Sequence, residues 1–303
     1  MNSFIEIFTL VWAFISLIPS YELKPQDWTP EESRVYEHFR QLDCGVRKIP
    51  LRITGGRKSF PMSQPWMAFL YIPSDLEMCR CGGALISERY VLTAAHCIKL
   101  CPRSTELKIR LGEHDLASPL DCATYNNESA CAPPVEEFTI EKSIIHEEFN
   151  PFSPWFDVAL LRLNRNVEFK DHIRPICLPL TDELLAFTSV MGQSYIAVGW
   201  GKTEDRRFAN STMEVHISTE RCSGGRDSSF LCASGDIVDT CTGDSGGPLT
   251  WRNLYFGKVR TVQFGVVSLG SADCGIGQKA YYMDVPTFMP WIIRKLAEFS
   301  NLV

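Results

Sequence analysis

Gly243-Asp244-Ser245-Gly246-Gly247-Pro248 is the stretch on which the reading of this chain turns. A serine hydroxyl is a weak nucleophile at neutral pH, so it needs a neighbouring base and donors aimed at the oxyanion it creates. Glycines on both sides of Ser245 let the backbone turn its amides toward one point and let a substrate carbonyl approach closely. Taken alone, the same hexapeptide also reads as a Gly-rich surface turn.

Two further segments lie upstream, Leu92-Thr93-Ala94-Ala95-His96-Cys97 and Asp157-Val158-Ala159-Leu160-Leu161. A lone His after a strand reads as a polar residue at an element end, and a lone Asp before an apolar strand as a solvated cap. Together, in the order His, Asp, Ser, the three segments resemble the trypsin-like serine proteases. The resemblance extends over nearly all of Ile53 to Val303 and includes Ser87-Glu88-Arg89-Tyr90, Gly199-Trp200-Gly201, Ser268 and Gly270. It implies an all-β chymotrypsin fold: two antiparallel β-barrels, roughly Ile53–Leu178 and Leu180–Val285, with the cleft between them and a C-terminal α-helix outside. It also implies Ser245 as nucleophile, His96 as general base and then acid, and Asp157 as the group that orients the imidazole. The N–H groups of Gly243 and Ser245 would form the oxyanion hole, Ser268 would support Asp157, and the backbone at Gly270 would pair with substrate.

The same resemblance assigns specificity to Asp239, six residues before Ser245. A carboxylate at the base of a narrow slot favours Arg or Lys; Asp236 is then the nearby loop aspartate in water. Three positions depart from the family pattern: Ala280 stands where a pocket glycine is usual, Lys279 where proline is common, and Leu269 where Trp is usual. The segment Met213 to Cys232 is several residues short. Arg52-Ile53-Thr54-Gly55-Gly56 resembles the family's activation site, where a cut after Arg52 frees an Ile53 amine to pair with Asp244.

Bulk composition agrees with a globular, exported chain. The 303 residues are 45% hydrophobic, and the net charge of −6 is spread without basic clusters, which sets aside nucleic acid and acidic membranes as partners. Phe4 to Ile18 is almost wholly apolar, the length of a signal-peptide core, with a cut after Ser20. Its leading residues hold Glu6 and no Lys or Arg, so an uncleaved anchor is the alternative. Expected domains are a signal peptide at 1–20, a propeptide at 21–52 and a protease domain at 53–303. Asn127-Glu128-Ser129 and Asn210-Ser211-Thr212 are glycosylation sequons. Tyr21 to Arg52 is polar, proline-containing and too short for a domain. The remainder shows short apolar runs broken by Gly, Pro, Asp and Asn, the pattern of sandwiches and barrels. Only the C-terminus reads as helix, because Pro286 suits a first turn and Trp291, Ile292, Lys295, Leu296 and Phe299 recur at helical spacing.

Twelve cysteines without paired C-x-x-C motifs point to disulfides. The resemblance suggests Cys81 with Cys97, Cys222 with Cys232, Cys241 with Cys274, and Cys44 with Cys177 as a tether for the propeptide. Proximity then pairs Cys122 with Cys131 and Cys79 with Cys101. The insertion holding Cys122 and Cys131-Ala132-Pro133-Pro134, together with Ile173-Arg174-Pro175-Ile176-Cys177-Leu178-Pro179, resembles the arthropod clip-domain proteases. A clip domain needs six cysteines upstream and only Cys44 is there, so the likeness is to the catalytic half. In the family, glutamates at the places of Glu113 and Glu136 hold calcium; no cofactor is required for the chemistry, and calcium is an optional ligand. Implied partners are a protein substrate cut after Arg or Lys, an upstream activating protease and a serpin-type inhibitor, in a secreted setting with no membrane after signal removal. The rival from another class is a noncatalytic secreted homologue acting as a binding or cofactor protein. A zinc hydrolase finds no His-Glu-x-x-His among the six histidines.

Overall fold

A computed structural model describes residues 27–47, 57–125, 128–153, 155–189, 192–203, 205, 207–220, 222, 229–234, 242–269 and 279–299. The signal segment, Arg52, Ile53, Asn127, Asp236, Asp239, Gly270, Cys241 and Cys274 lie outside the described residues.

The polar segment ahead of the strands contains an element that the sequence reading omitted, helix α1 (Pro30–Gln41). Thr29 and Glu32 form a reciprocal capping box, Pro30 occupies the first turn, and Val35 and Phe39, one turn apart, are buried. Each such side chain contributes about 1.5–3 kcal/mol by leaving water. The Tyr255 hydroxyl donates to the Phe39 carbonyl (3.2 Å), Arg260 pairs with Asp43 (2.9 Å), and Arg47 pairs with the largely buried Glu214 (3.1 Å). Cys44 is bonded to Cys177. The segment from α1 through Arg47 is therefore packed into the fold.

After α1 come β1 (Arg57–Lys58), β2 (Met67–Tyr71), β3 (Cys81–Leu85), β4 (Tyr90–Thr93), the single turn α2 (His96–Lys99), β5 (Lys108–Leu111), a hairpin of β6 (Cys122–Tyr125) and β7 (Glu128–Cys131), β8 (Glu136–Ile145) and β9 (Ala159–Leu163). Strands β2-β3-β4-β9-β8-β5 close into an antiparallel barrel. After the short α3 (Asp182–Leu185) follow β10 (Ser194–Gly199), β11 (Met213–Glu220), β12 (Phe230–Ser234), β13 (Pro248–Tyr255), β14 (Lys258–Leu269) and β15 (Lys279–Asp284). These are ordered β11-β10-β13-β14-β15-β12, and β12 returns to β11, closing a second six-stranded ring.

The division of the barrels needs one correction. Strand β1, assigned by sequence to the first barrel, pairs with β11 of the second, Arg57 opposite Glu214. Burial follows the strands: Phe69, Tyr90 and Phe138 fill the first barrel, and Tyr195, Phe264 and Tyr282 the second. Phe69 meets Trp200 edge-on across the seam, with ring centroids 5.2 Å apart. Helix α4 (Val285–Glu298) buries Phe288, Met289, Ile292, Ile293 and Leu296, and packs against α1. Disulfides close Cys79–Cys101, Cys81–Cys97, Cys122–Cys131 and Cys222–Cys232. No helix among the described residues is long and apolar enough to cross a membrane.

Asp284 precedes α4 and is enclosed by protein. Burial pushes its carboxyl up to about 7, against an opposing hydrogen bond from the Thr287 hydroxyl (2.8 Å). The native state thus holds this proton more tightly than the unfolded chain does. The stabilisation is complete below the ordinary carboxylate range and is lost as pH rises through about 7. Asp284→Asn should melt a few degrees above wild type at pH 8 and level with it near pH 4, as read by thermal scans. Equal differences at both pH values would refute the assignment.

Candidate active site

At the end of β4 the chain passes through Ala94 and Ala95, both fully buried, into α2, which begins at His96. Disulfides from Cys97 and Cys101 hold this turn on both sides of Arg80. Asp157 arrives from the other direction, just ahead of β9. Its predecessor Phe156 is left-handed (φ 58°), a conformation that costs an L-residue about 1–2 kcal/mol. Stacking of the Phe156 ring on His146 (4.8 Å) and an edge contact with Phe288 (6.3 Å) hold it there and turn Asp157 inward.

The Asp157 carboxylate is 2% exposed and accepts three hydrogen bonds. His96 donates from its backbone N–H to Oδ1 (2.8 Å) and from Nδ1 to Oδ2 (2.6 Å), and the Ser268 hydroxyl donates to Oδ2 (2.5 Å). Burial alone would raise the Asp157 pKa. The bonds and charge of His96, with the Ser268 bond, outweigh it and hold the carboxyl below its ordinary range. An ionised carboxylate only accepts, so Nδ1 carries the proton and Nε2 is the basic nitrogen.

Ser245 comes from the second barrel, on the turn before β13. The Gly82 N–H donates to the Ser245 carbonyl (2.7 Å), and the Gly246 N–H to the Val267 carbonyl (2.7 Å). Gly246 has φ +80°, and a Cβ there would lie 2.2 Å from Thr93 Oγ1 and 2.4 Å from the Gly82 carbonyl oxygen, so no larger residue fits. Gly243 is also left-handed, at φ +99°. The Asp244 side chain accepts the Gly201 N–H at Oδ1 (2.8 Å). A Cβ on Gly199 or Gly201 would collide with its oxygens, at 2.1 and 2.3 Å, which explains both glycines of Gly199-Trp200-Gly201.

The other expected positions are distributed around this centre. Ala280 is fully buried in β15 opposite Ala233 of β12, while Leu269 is exposed at the end of β14. Asn210 is exposed. Glu113 is buried against Arg110 (3.0 Å), and Glu136 is paired with Lys170 (2.8 Å) and Arg165 (3.3 Å), so both carry cationic partners of the protein's own. Ligand atoms of Cys81, His96 and Cys97 lie within 4.8 Å of one another, but the Cys81–Cys97 disulfide removes both thiolates. Sequence reasoning missed α1, Phe156 and Arg80; of these only α1 left a local signal, the Thr-Pro-Glu-Glu capping pattern.

Two six-stranded antiparallel barrels, contributing a carboxylate-bound imidazole and a glycine-framed serine at their seam, are the architecture of the chymotrypsin-fold serine proteases. The chain belongs to the trypsin family, which residues 53–292 match, and it is a trypsin-like serine protease. It is similar to serine protease grass of Drosophila melanogaster, 38% identical over 279 residues, 88% of this chain and 73% of that one. CLIP domain-containing serine protease HP8 of Bombyx mori is 36% identical over 274 residues, 84% of this chain and 72% of its own length. The Spaetzle-processing enzyme of Drosophila melanogaster is 36% identical over 271 residues, 81% and 66% respectively. The crystal structure of the Drosophila Grass clip serine protease of the Toll pathway matches with a TM-score of 0.79 at 38% identity, covering 88% of this chain and 78% of that one.

Removing the Ser268 hydroxyl deletes one of the bonds that keep Asp157 ionised. Ser268→Ala should lower kcat/KM by roughly tenfold. The stability that Asp157 contributes above the ordinary carboxylate range should also shrink as its carboxyl rises toward that range, so the variant should melt below wild type near neutral pH and approach it in acid. A profile of melting temperature against pH superposable on that of the wild type would contradict this role.

Proposed function

We propose that this protein is a secreted precursor which, cut after Arg52, hydrolyses peptide bonds on the carboxyl side of Arg or Lys through an acyl-enzyme at Ser245. The observation that carries the reading is the Asp157 carboxylate, held ionised and bonded to His96 Nδ1, which leaves Nε2 as the base. In the reaction Ser245 Oγ attacks the scissile carbonyl carbon as its proton passes to Nε2. Asp157 stabilises the resulting imidazolium, and the N–H groups of Gly243 and Ser245 receive the oxyanion. His96 then returns the proton to the leaving amine. Water, deprotonated by the same nitrogen, releases the acid and restores Ser245.

Activation would place the new Ile53 amine against Asp244. The Gly201 N–H bond to that carboxylate supports a seat for the ion pair, and the Cys44–Cys177 bond would keep the α1 segment attached after the cut. Asp239 would set the preference for a cationic residue, and Ala280 would narrow the pocket wall. Residues 1–20 would direct export, residues 21–52 would serve as the propeptide, and Asn127 and Asn210 would carry glycans. An activating protease, a protein substrate and a serpin-type inhibitor are the partners. Likeness to the Spaetzle-processing enzyme favours a place in an extracellular proteolytic cascade. Calcium is not required in this reading.

The test is to cut the purified precursor after Arg52 and assay it on short amide substrates that differ in the residue before the bond. Cleavage after Arg and Lys is expected, with Ser245→Ala at least about a thousandfold slower and Arg52→Gln left uncut and inactive. A chain with Ile53 at its N-terminus that turns over no substrate would instead favour the noncatalytic homologue.

Asp239→Ser should lower kcat/KM for Arg and Lys substrates by about a hundredfold or more, since the cation would enter a pocket lacking its counter-charge. Slow cleavage after apolar residues should persist. Indifference to this substitution would overturn the specificity while leaving the hydrolytic mechanism standing.

A further inference from the structure

Arg80 sits between two disulfide-bonded neighbours. Cys79 is bonded to Cys101 and Cys81 to Cys97, and Cys79 is left-handed (φ 55°), which turns the following side chain inward. Only 9% of Arg80 is exposed, and burial pulls its pKa down to about 10, against an attraction from Asp244, so the guanidinium is a cation at neutral pH. Burying a guanidinium is costly unless its donors are used and its charge is compensated. Arg80 therefore needs a reason to be where it is.

Both of its hydrogen bonds lead to one hairpin of the second barrel. One terminal nitrogen donates both to the Trp200 carbonyl (2.8 Å) and to the Ala209 carbonyl, the two legs of the 200–209 loop. The guanidinium lies over the Phe208 ring at 4.6 Å and over Phe69 at 5.3 Å. The hairpin is also braced internally, by Ala209 N–H to the Gly201 carbonyl (3.0 Å) and Thr203 N–H to the Arg207 carbonyl (2.9 Å). From it, two hydrogen bonds and one close approach reach the backbone leading into Ser245. The Lys202 N–H donates to the Thr242 carbonyl (2.8 Å), the Gly201 N–H holds Asp244, and the Phe208 ring edge would lie 2.9 Å from a Cβ placed on Gly243.

We propose that Arg80 is a positioning residue for the oxyanion hole: rooted beside the His96 turn, it clamps both legs of the 200–209 hairpin, which in turn holds the Gly243 and Ser245 amides in place. The proposal rests on the reading of Ser245 as nucleophile. Among the described residues Arg80 makes no hydrogen bond to His96, Asp157 or Ser245; its bonds go to Trp200 and Ala209. It links the barrel that supplies the base to the backbone that receives the oxyanion. Loss of the clamp affects the transition state, where oxyanion donors must be aligned, more than ground-state binding.

Arg80→Met, Arg80→Lys and Phe208→Ala test the clamp in the full chain cut after Arg52. Arg80→Met should lower kcat roughly ten- to a hundredfold, as expected for displaced catalytic geometry, with KM within about threefold of wild type. Affinity for a peptidyl boronate of the same sequence, whose tetrahedral adduct occupies the oxyanion hole, should fall in step with kcat. Arg80→Lys keeps the charge and should recover part of the loss. Phe208→Ala, which leaves the barrel cores untouched, should move kcat in the same direction and carries the test if Arg80→Met does not fold. Unchanged kcat and boronate affinity in a folded variant would overturn the proposal, as would equal losses in kcat and substrate binding.

A second arm does not depend on turnover. In a Ser245→Ala background, Arg80→Met should speed nicking after Arg207 by added trypsin about tenfold, because the freed hairpin opens locally. An unchanged nicking rate refutes the clamp even if the parent enzyme proves inactive. Inactivity of the parent with accelerated nicking would refute the Ser245 reading and leave the clamp in place.

Discussion

A backbone hydrogen bond from Gly82 to the Ser245 carbonyl, 2.7 Å long, joins the two barrels at the proposed nucleophile, and the rest of the site depends on that seam. Base and nucleophile come from different barrels, so their alignment is only as good as the contact between them. The contact is made by backbones. A Cβ on Gly82 would lie 3.0 Å from Gly247 Cα, and one on Gly246 would strike Thr93 and Gly82. At such distances, against a close-packed interior, a single added carbon moves one barrel relative to the other. Phe69 against Trp200, and Arg80 reaching from the first barrel to the 200–209 hairpin, extend the same seam outward.

Two buried aspartates show how local donors decide the charge on a carboxyl. Asp157 and Asp284 are both nearly inaccessible, and burial pushes both pKa values upward. At Asp157 the backbone and ring of His96 and the Ser268 hydroxyl outweigh that push, and the carboxylate stays ionised, as needed to stabilise an imidazolium. At Asp284 the opposing bonds do not suffice, and the carboxyl titrates near 7. The first arrangement keeps a buried charge beside His96; the second keeps a buried carboxyl protonated well above its ordinary range.

The segment ahead of the proposed cleavage site is part of the packed structure. Helix α1, the Cys44 tether and the Arg47 to Glu214 pair fix the chain through Arg47, so the residues leading to Arg52 depart from an anchored point on the second barrel. The cut therefore need not release the packed surface.

The sequence by itself determined the class of fold, through short apolar runs broken by Gly, Pro and Asp. It also pointed to His96 and Asp157, which the structure brings into hydrogen-bond contact, and the resemblance supplied the Cys81–Cys97 and Cys44–Cys177 pairs. These signals lie in contiguous stretches, where local periodicity and motif chemistry are sufficient. Helix α1 was legible in its capping box yet hidden by a polar composition. Tertiary structure alone decided that β1 belongs to the second barrel, that Phe156 adopts a left-handed conformation, and that Glu136 pairs with Lys170 and Arg165. It alone placed Arg80 inside the molecule against residues more than a hundred positions away. Arginine in a sequence reads as surface, and only the packing of distant elements can enclose its charge and supply partners for its donors.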